Sequence, residues 1–171
     1  VVGIPADQYF SVHYTVSNGS TPITASFEAE LAGDTISTPF QTMTTRSVNF
    51  ADGYTDPTLT ANQQSETVSI LNPYATDVGF KYDLLYHFSD GSVIFASGGP
   101  AFNLAAGHRV DRQARDFAAV MTKINSNAAF RFYSIEVVTV QFTFPTPVGG
   151  VVAQMTRLHN TWGQAMTTGP S

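Results

Sequence analysis

The chain has 171 residues, of which 43% are hydrophobic, 12% aromatic and 12% charged. That is enough apolar material for the core of one ordinary domain, and far too little charge for a disordered chain. Eight Lys and Arg stand against thirteen Asp and Glu, so no basic surface is expected to meet nucleic acid.

The surface must therefore be carried by Ser, Thr, Asn, Gln and Gly, a balance common in secreted and cell-surface proteins. There is no cysteine, so no disulfide framework is expected. No apolar run reaches the length that spans a bilayer. Val1-Val2-Gly3 has neither the basic start nor the sustained apolar stretch of a signal peptide. The chain reads as a mature form or as a fragment.

In chain order, 8–17 alternates, with Phe10, Val12, Tyr14 and Val16 on one face. Asn18-Gly19 turns it towards 23–31, where Ile23, Ala25, Phe27, Ala29 and Leu31 alternate, so the pair reads as a hairpin. Residues 34–45 read as an irregular connection or an edge strand, since Pro39 fits an edge best. A short strand is expected at 47–50, then a long surface loop over 51–64. Strands follow near 66–72, 78–88, 92–97 and 101–104, with a further short one at 109–111. Their turns are Asn72-Pro73, Asp90-Gly91, Gly98-Gly99-Pro100 and Ala106-Gly107. Phe117, Val120, Met121 and Ile124 then fall on one helical stripe, which predicts a helix of about three turns near 112–124 capped by Asp111. Residues 130–144 are apolar on both faces in places, as a central strand is, and 149–158 reads as its partner.

The two ends of the chain resemble each other. Gln8-Tyr9-Phe10-Ser11-Val12 aligns with Arg131-Phe132-Tyr133-Ser134-Ile135, Thr21-Pro22-Ile23 with Thr146-Pro147-Val148, and Gln41-Thr42-Met43 with Gln164-Ala165-Met166. The offset stays near about 123 positions. Either 1–171 is a single sandwich with similar hairpins in its two sheets, or 1–45 ends one repeat unit and 46–171 is a second.

Four stretches also follow one another in a familiar order. They are Asn49-Phe50-Ala51-Asp52-Gly53-Tyr54-Thr55, Ile70-Leu71-Asn72-Pro73, Ser89-Asp90-Gly91 and Leu104-Ala105-Ala106-Gly107-His108-Arg109. In this the chain resembles, over 49–165, the Ig-like β-sandwich repeats of large bacterial cell-surface proteins. Val48 stands where those repeats carry an aromatic, and the helical stretch is longer than their usual connection. The resemblance implies a non-catalytic surface module and brings no catalytic residue with it.

No chemistry stands out. His13, His87, His108 and His159 lack metal-ligand spacing. Asp52, Asp56 and Asp90 lie in turns, where loop-bound calcium is conceivable, yet no Asp-x-Asp-x-Asp run is present. No nucleophile elbow or phosphate loop appears. Tyr54, Tyr74 and Trp162 fall in expected loops and are the candidates for stacking on glycans. The expectation is an all-β protein, an antiparallel Ig-like or jelly-roll-type sandwich with one short helix, without cofactor. It would be a secreted or cell-surface structural module, not an enzyme, that pairs or exchanges strands with copies of itself into a fibre or surface layer. The alternative is a carbohydrate-binding or adhesion module.

Overall fold

The computed structural model describes residues 26–31, 34–39, 47–72, 74–100, 102–143, 152–159 and 164–168. It is an antiparallel β-sandwich with one short α-helix. The expected strand at 8–17, the turn at Asn18-Gly19, His13 and Trp162 lie outside these residues.

Strands β1 (Ser26–Leu31) and β2 (Asp34–Pro39) form a hairpin. Of the stretch read as an irregular connection or an edge strand, 34–39 is a strand, and Pro39 sits at its last position, where a missing N–H costs least. Strands β3 (Ser47–Tyr54), β9 (Phe132–Thr143), β5 (Val78–Phe88) and β6 (Val93–Ser97) lie side by side in that order. The short β7 (Phe102–Leu104) also pairs with β5. The second sheet runs β11 (Gln164–Thr168), β10 (Val152–His159), β4 (Gln64–Leu71), β8 (Arg109–Arg112).

Period two decides what each strand buries. Along β5, Val78, Phe80, Tyr82, Leu84, Tyr86 and Phe88 are all buried. Val68 and Ile70 of β4 and Ala153 and Met155 of β10 belong to the same core. As its sequence demanded, β9 is central, flanked by β3 and β5. The expected partnership of 130–144 with 149–158 does not occur. β10 instead joins β4 and β11 in the other sheet. Alternation specifies a face and leaves the neighbour open, so a local reading paired two strands that the core separates.

The helix α1 spans Ala118–Ser126, later and shorter than expected. Asp111 and Arg112, taken for its start, complete β8 opposite Ser69 and Val68. The Ser69 hydroxyl donates to Asp111 Oδ1 at 2.6 Å. A 3-10 turn over Ala114–Asp116 separates the two elements. The predicted stripe holds: Val120 and Ile124 are buried, and Phe117 and Met121 pack beside them.

Two of the predicted turns show their chemistry directly. Asn72 is fully buried, and its side-chain amide donates to the carbonyls of Thr76, Leu104 and Ala105 at 2.9–3.1 Å. One asparagine thereby ties two loops at this end of the sandwich. In the β5–β6 hairpin Gly91 takes φ 80°, which glycine adopts without a Cβ penalty. Asp90 accepts from the amide and hydroxyl of Ser92 and from Lys123. Lys123 and Ser92 hold the Asp90 carboxyl well below the usual carboxylate range.

Candidate functional site

At the opposite end from Asn72, polar side chains occupy core positions. Gln64 and Glu66 share the inward face of β4 with Val68 and Ile70. Glu66 lies directly across from Arg157 of β10 in the sheet register. Its Oε2 accepts from Arg157 Nε and Nη2 at 3.0 and 2.9 Å and from the Tyr54 amide at 2.7 Å. Its Oε1 accepts from the Tyr133 hydroxyl at 2.7 Å, and that hydroxyl also meets Thr55 Oγ1 at 2.7 Å. Only 2% of the Glu66 side chain and 16% of the Arg157 side chain are exposed. Burial pushes the Glu66 carboxyl above its ordinary value, against the pull of Arg157, the Tyr133 hydroxyl and the Tyr54 amide. Burial and the Glu66 charge push the Tyr133 phenol well up, so it stays a donor.

This cluster fastens β3, β4, β9 and β10 together. A second layer holds the 55–63 connection over it. Gln64 accepts from the Asp56 amide at 2.9 Å and donates to the Tyr54 carbonyl at 2.8 Å. Arg115 donates to the carbonyls of Asp56 and Leu59, and Arg131 pairs with Asp56 Oδ2 at 3.1 Å. With three donors on Oε2 and one on Oε1, drawn from three other strands, the Glu66 carboxylate is the hub that clamps this end of the fold.

Burial alone would raise the Asp56 carboxyl. The Thr58 hydroxyl and amide, with Arg131 and Tyr54, outweigh it and hold the carboxyl below its ordinary value of 3.8. Stability from Asp56 is therefore complete above its unfolded value and is lost as pH falls through the folded one. Asp56→Asn should unfold more easily at pH 7 and lose less stability than the parent between pH 5 and pH 2. Denaturant titrations across that range check it. Equal pH slopes for both proteins would contradict it.

The feature most open to a partner lies on the other sheet. β6 ends the five-stranded sheet among the described residues, and its sequence is Val-Ile-Phe-Ala-Ser. Exposed strand edges are normally blunted by charge, proline, bulges, brevity or a covering element. Each of the other described edges of the two larger sheets carries such a device. β3 is bulged between Phe50 and Gly53. β8 has Arg109, Asp111 and Arg112 in four positions. β7 is three residues long, and β2 lies against β11. β6 has no charge, proline or bulge. Val93 is 48% exposed and Phe95 62%, two of the three large hydrophobics exposed among the described residues. Their inward neighbours Ile94 and Ala96 join the core, and α1 touches the strand.

No family model matches the chain, and no curated protein matches it. Among solved structures, Thermotoga maritima 1070 is similar with 17% identity and a TM-score of 0.46, over 75% of this chain and 94% of that one. The Anabaena sensory rhodopsin transducer is similar with 16% identity and a TM-score of 0.40, over 68% and 99%. Neither likeness carries an inference about this chain.

Tyr54 and Tyr74 stand at opposite ends of β4. Tyr54 is half-buried, its ring 4.8 Å from Phe132 and 5.6 Å from the Arg157 guanidinium, centroid to centroid and centroid to Cζ. Tyr74 is half-buried against the core beside Asn72. Trp162 lies outside the described residues. Asp52, Asp56 and Asp90 face Arg157, Arg131 and Lys123 respectively. Among the described residues no three His, Asp or Glu converge as a metal site requires. Sequence reading missed Glu66 and Arg157. The signal was there: with Val68 and Ile70 inward, period two puts Glu66 inward too.

Proposed function

We propose that this protein is a non-catalytic, extracellular structural module that associates with copies of itself by pairing strand edges. The β6 edge, which among the described residues pairs only with β5, carries this reading. It offers open backbone groups and exposed apolar side chains on one strand, with no charge to repel a second copy. A chain with 12% charged residues sets up little repulsion elsewhere, which favours association. The buried clamp fits the same role, because it ties both sheets together without presenting reactive groups. One edge contact gives a pair; a fibre or surface layer needs a second contact in addition.

Phe95→Lys tests the reading, because lysine is the common guard of natural edges. The position is exposed, so folding stability should change by less than about 0.5 kcal/mol. Association should weaken by about 2 kcal/mol, roughly thirtyfold in dissociation constant. Sedimentation velocity over a concentration series reads both proteins. Unchanged association of the variant would remove β6 from the contact.

A further inference from the structure

We infer that β6 pairs antiparallel with β6 of a second copy about a two-fold axis through Phe95. This rests on the self-association reading and specifies its contact.

The hydrogen-bond phase of the β5–β6 ladder decides which backbone groups of β6 are open. The Phe88 amide donates to the Ser92 carbonyl at 2.9 Å, and the Gly98 amide donates to the Tyr82 carbonyl at 3.1 Å. In an antiparallel ladder, bonded and non-bonded pairs alternate. Between those two bonds, Ile94 and Ala96 therefore turn their N–H and C=O groups to Tyr86 and Leu84. Val93, Phe95 and Ser97 face His87, Leu85 and Asp83 in the register and turn theirs outward. The same three residues carry the exposed side chains of the strand. Open backbone and open side chains thus coincide on positions 93, 95 and 97.

Three open positions have one centre, Phe95. A two-fold axis there sets Phe95 against Phe95 of the second copy and Val93 against Ser97. Every open N–H and C=O of the strand then finds a partner. A slip of one residue would aim open groups at groups already bonded to β5. A slip of two would leave an end position of each copy unpaired. The axis stands perpendicular to the sheet, so both Phe95 rings lie on one face as a cross-strand aromatic pair. β6 has no ionisable side chain, so no like charges meet across the seam. Inward by one strand, His87 Nε2 and Glu136 Oε2 are 3.6 Å apart within one copy, and the Ser47 hydroxyl donates to Glu136 Oε1.

The chain has no cysteine, so introduced thiols are the only ones present. Bonded antiparallel pairs hold Cα atoms about 5.5 Å apart, within disulfide reach. Under mild oxidation, Val93→Cys mixed with Ser97→Cys should cross-link more than about tenfold faster than either variant alone. Efficient cross-linking of Val93→Cys with itself would show parallel pairing and overturn the inference. Sedimentation that shows association, without cross-linking of the mixture, would also overturn it while leaving the self-association reading in place. A monomer in sedimentation for the parent and both variants would overturn both.

Discussion

Arg157→Ala should cost about 3–5 kcal/mol at neutral pH, the usual penalty when a buried ion pair loses one member. Glu66 would keep the Tyr133 hydroxyl and the Tyr54 amide, yet face a core position with no cation. Its carboxyl is already raised by burial, and losing Arg157 removes the main opposing influence. The folded variant should then hold a proton on Glu66 well above the unfolded value near 4.5. The folded state binds more protons than the unfolded one across that window, so stability falls as pH rises through it. Chemical denaturation at pH 5 and pH 8 should therefore show the larger loss at pH 8. A loss of less than about 1 kcal/mol, the same at both pH values, would mean that the pair behaves as a surface bridge.

Gly53→Ala is expected to cost about 3 kcal/mol, at the upper end of overpacking effects. A Cβ at this position would lie 2.4 Å from Tyr133 Cε2 and 2.8 Å from the Tyr133 carbonyl oxygen. The ring could swing aside; the carbonyl belongs to β9 and could not move without shifting the sheet. Gly53 sits where the β3–β9 register slips, so the bulge and the missing side chain serve one close approach. Moving the Tyr133 ring would also pull its hydroxyl away from Glu66 and Thr55. Thermal unfolding should show the loss. A second substitution, Tyr133→Phe, should add less to Gly53→Ala than it costs alone, because both act on the same hydroxyl. Full additivity would separate the bulge from the clamp.

Much of the sandwich was legible in the sequence. Val78 to Phe88 names its own inward face, and Asp90-Gly91 and Asn72-Pro73 mark where strands must stop. The density of Val, Ile and Phe over 130–144 announced a central strand. Sheet membership was less legible. β9 and β10 are adjacent in sequence and belong to different sheets, because their ladders are completed by β3, β5 and β4, far away along the chain. The helix began late for a similar reason: β4 draws Asp111 and Arg112 into a ladder that no local propensity records.

The site was less legible than the fold. Glu66 and Arg157 read as surface residues by type, and only their phase relative to Val68, Ile70, Ala153 and Met155 places them inside. Val93 and Phe95 read as core residues by type. Their exposure follows from their phase: Ile94 and Ala96 turn to the core, so 93 and 95 turn to the outer face of an edge strand.

Amide hydrogen exchange along β6, followed residue by residue in dilute and in concentrated solution, reads the pairing of two copies amide by amide. Ile94 and Ala96 are bonded to β5 within one copy and should be protected at both concentrations. Val93, Phe95 and Ser97 should exchange freely when dilute and become protected when concentrated. If those three amides exchange freely at every concentration, β6 does not pair with a second copy.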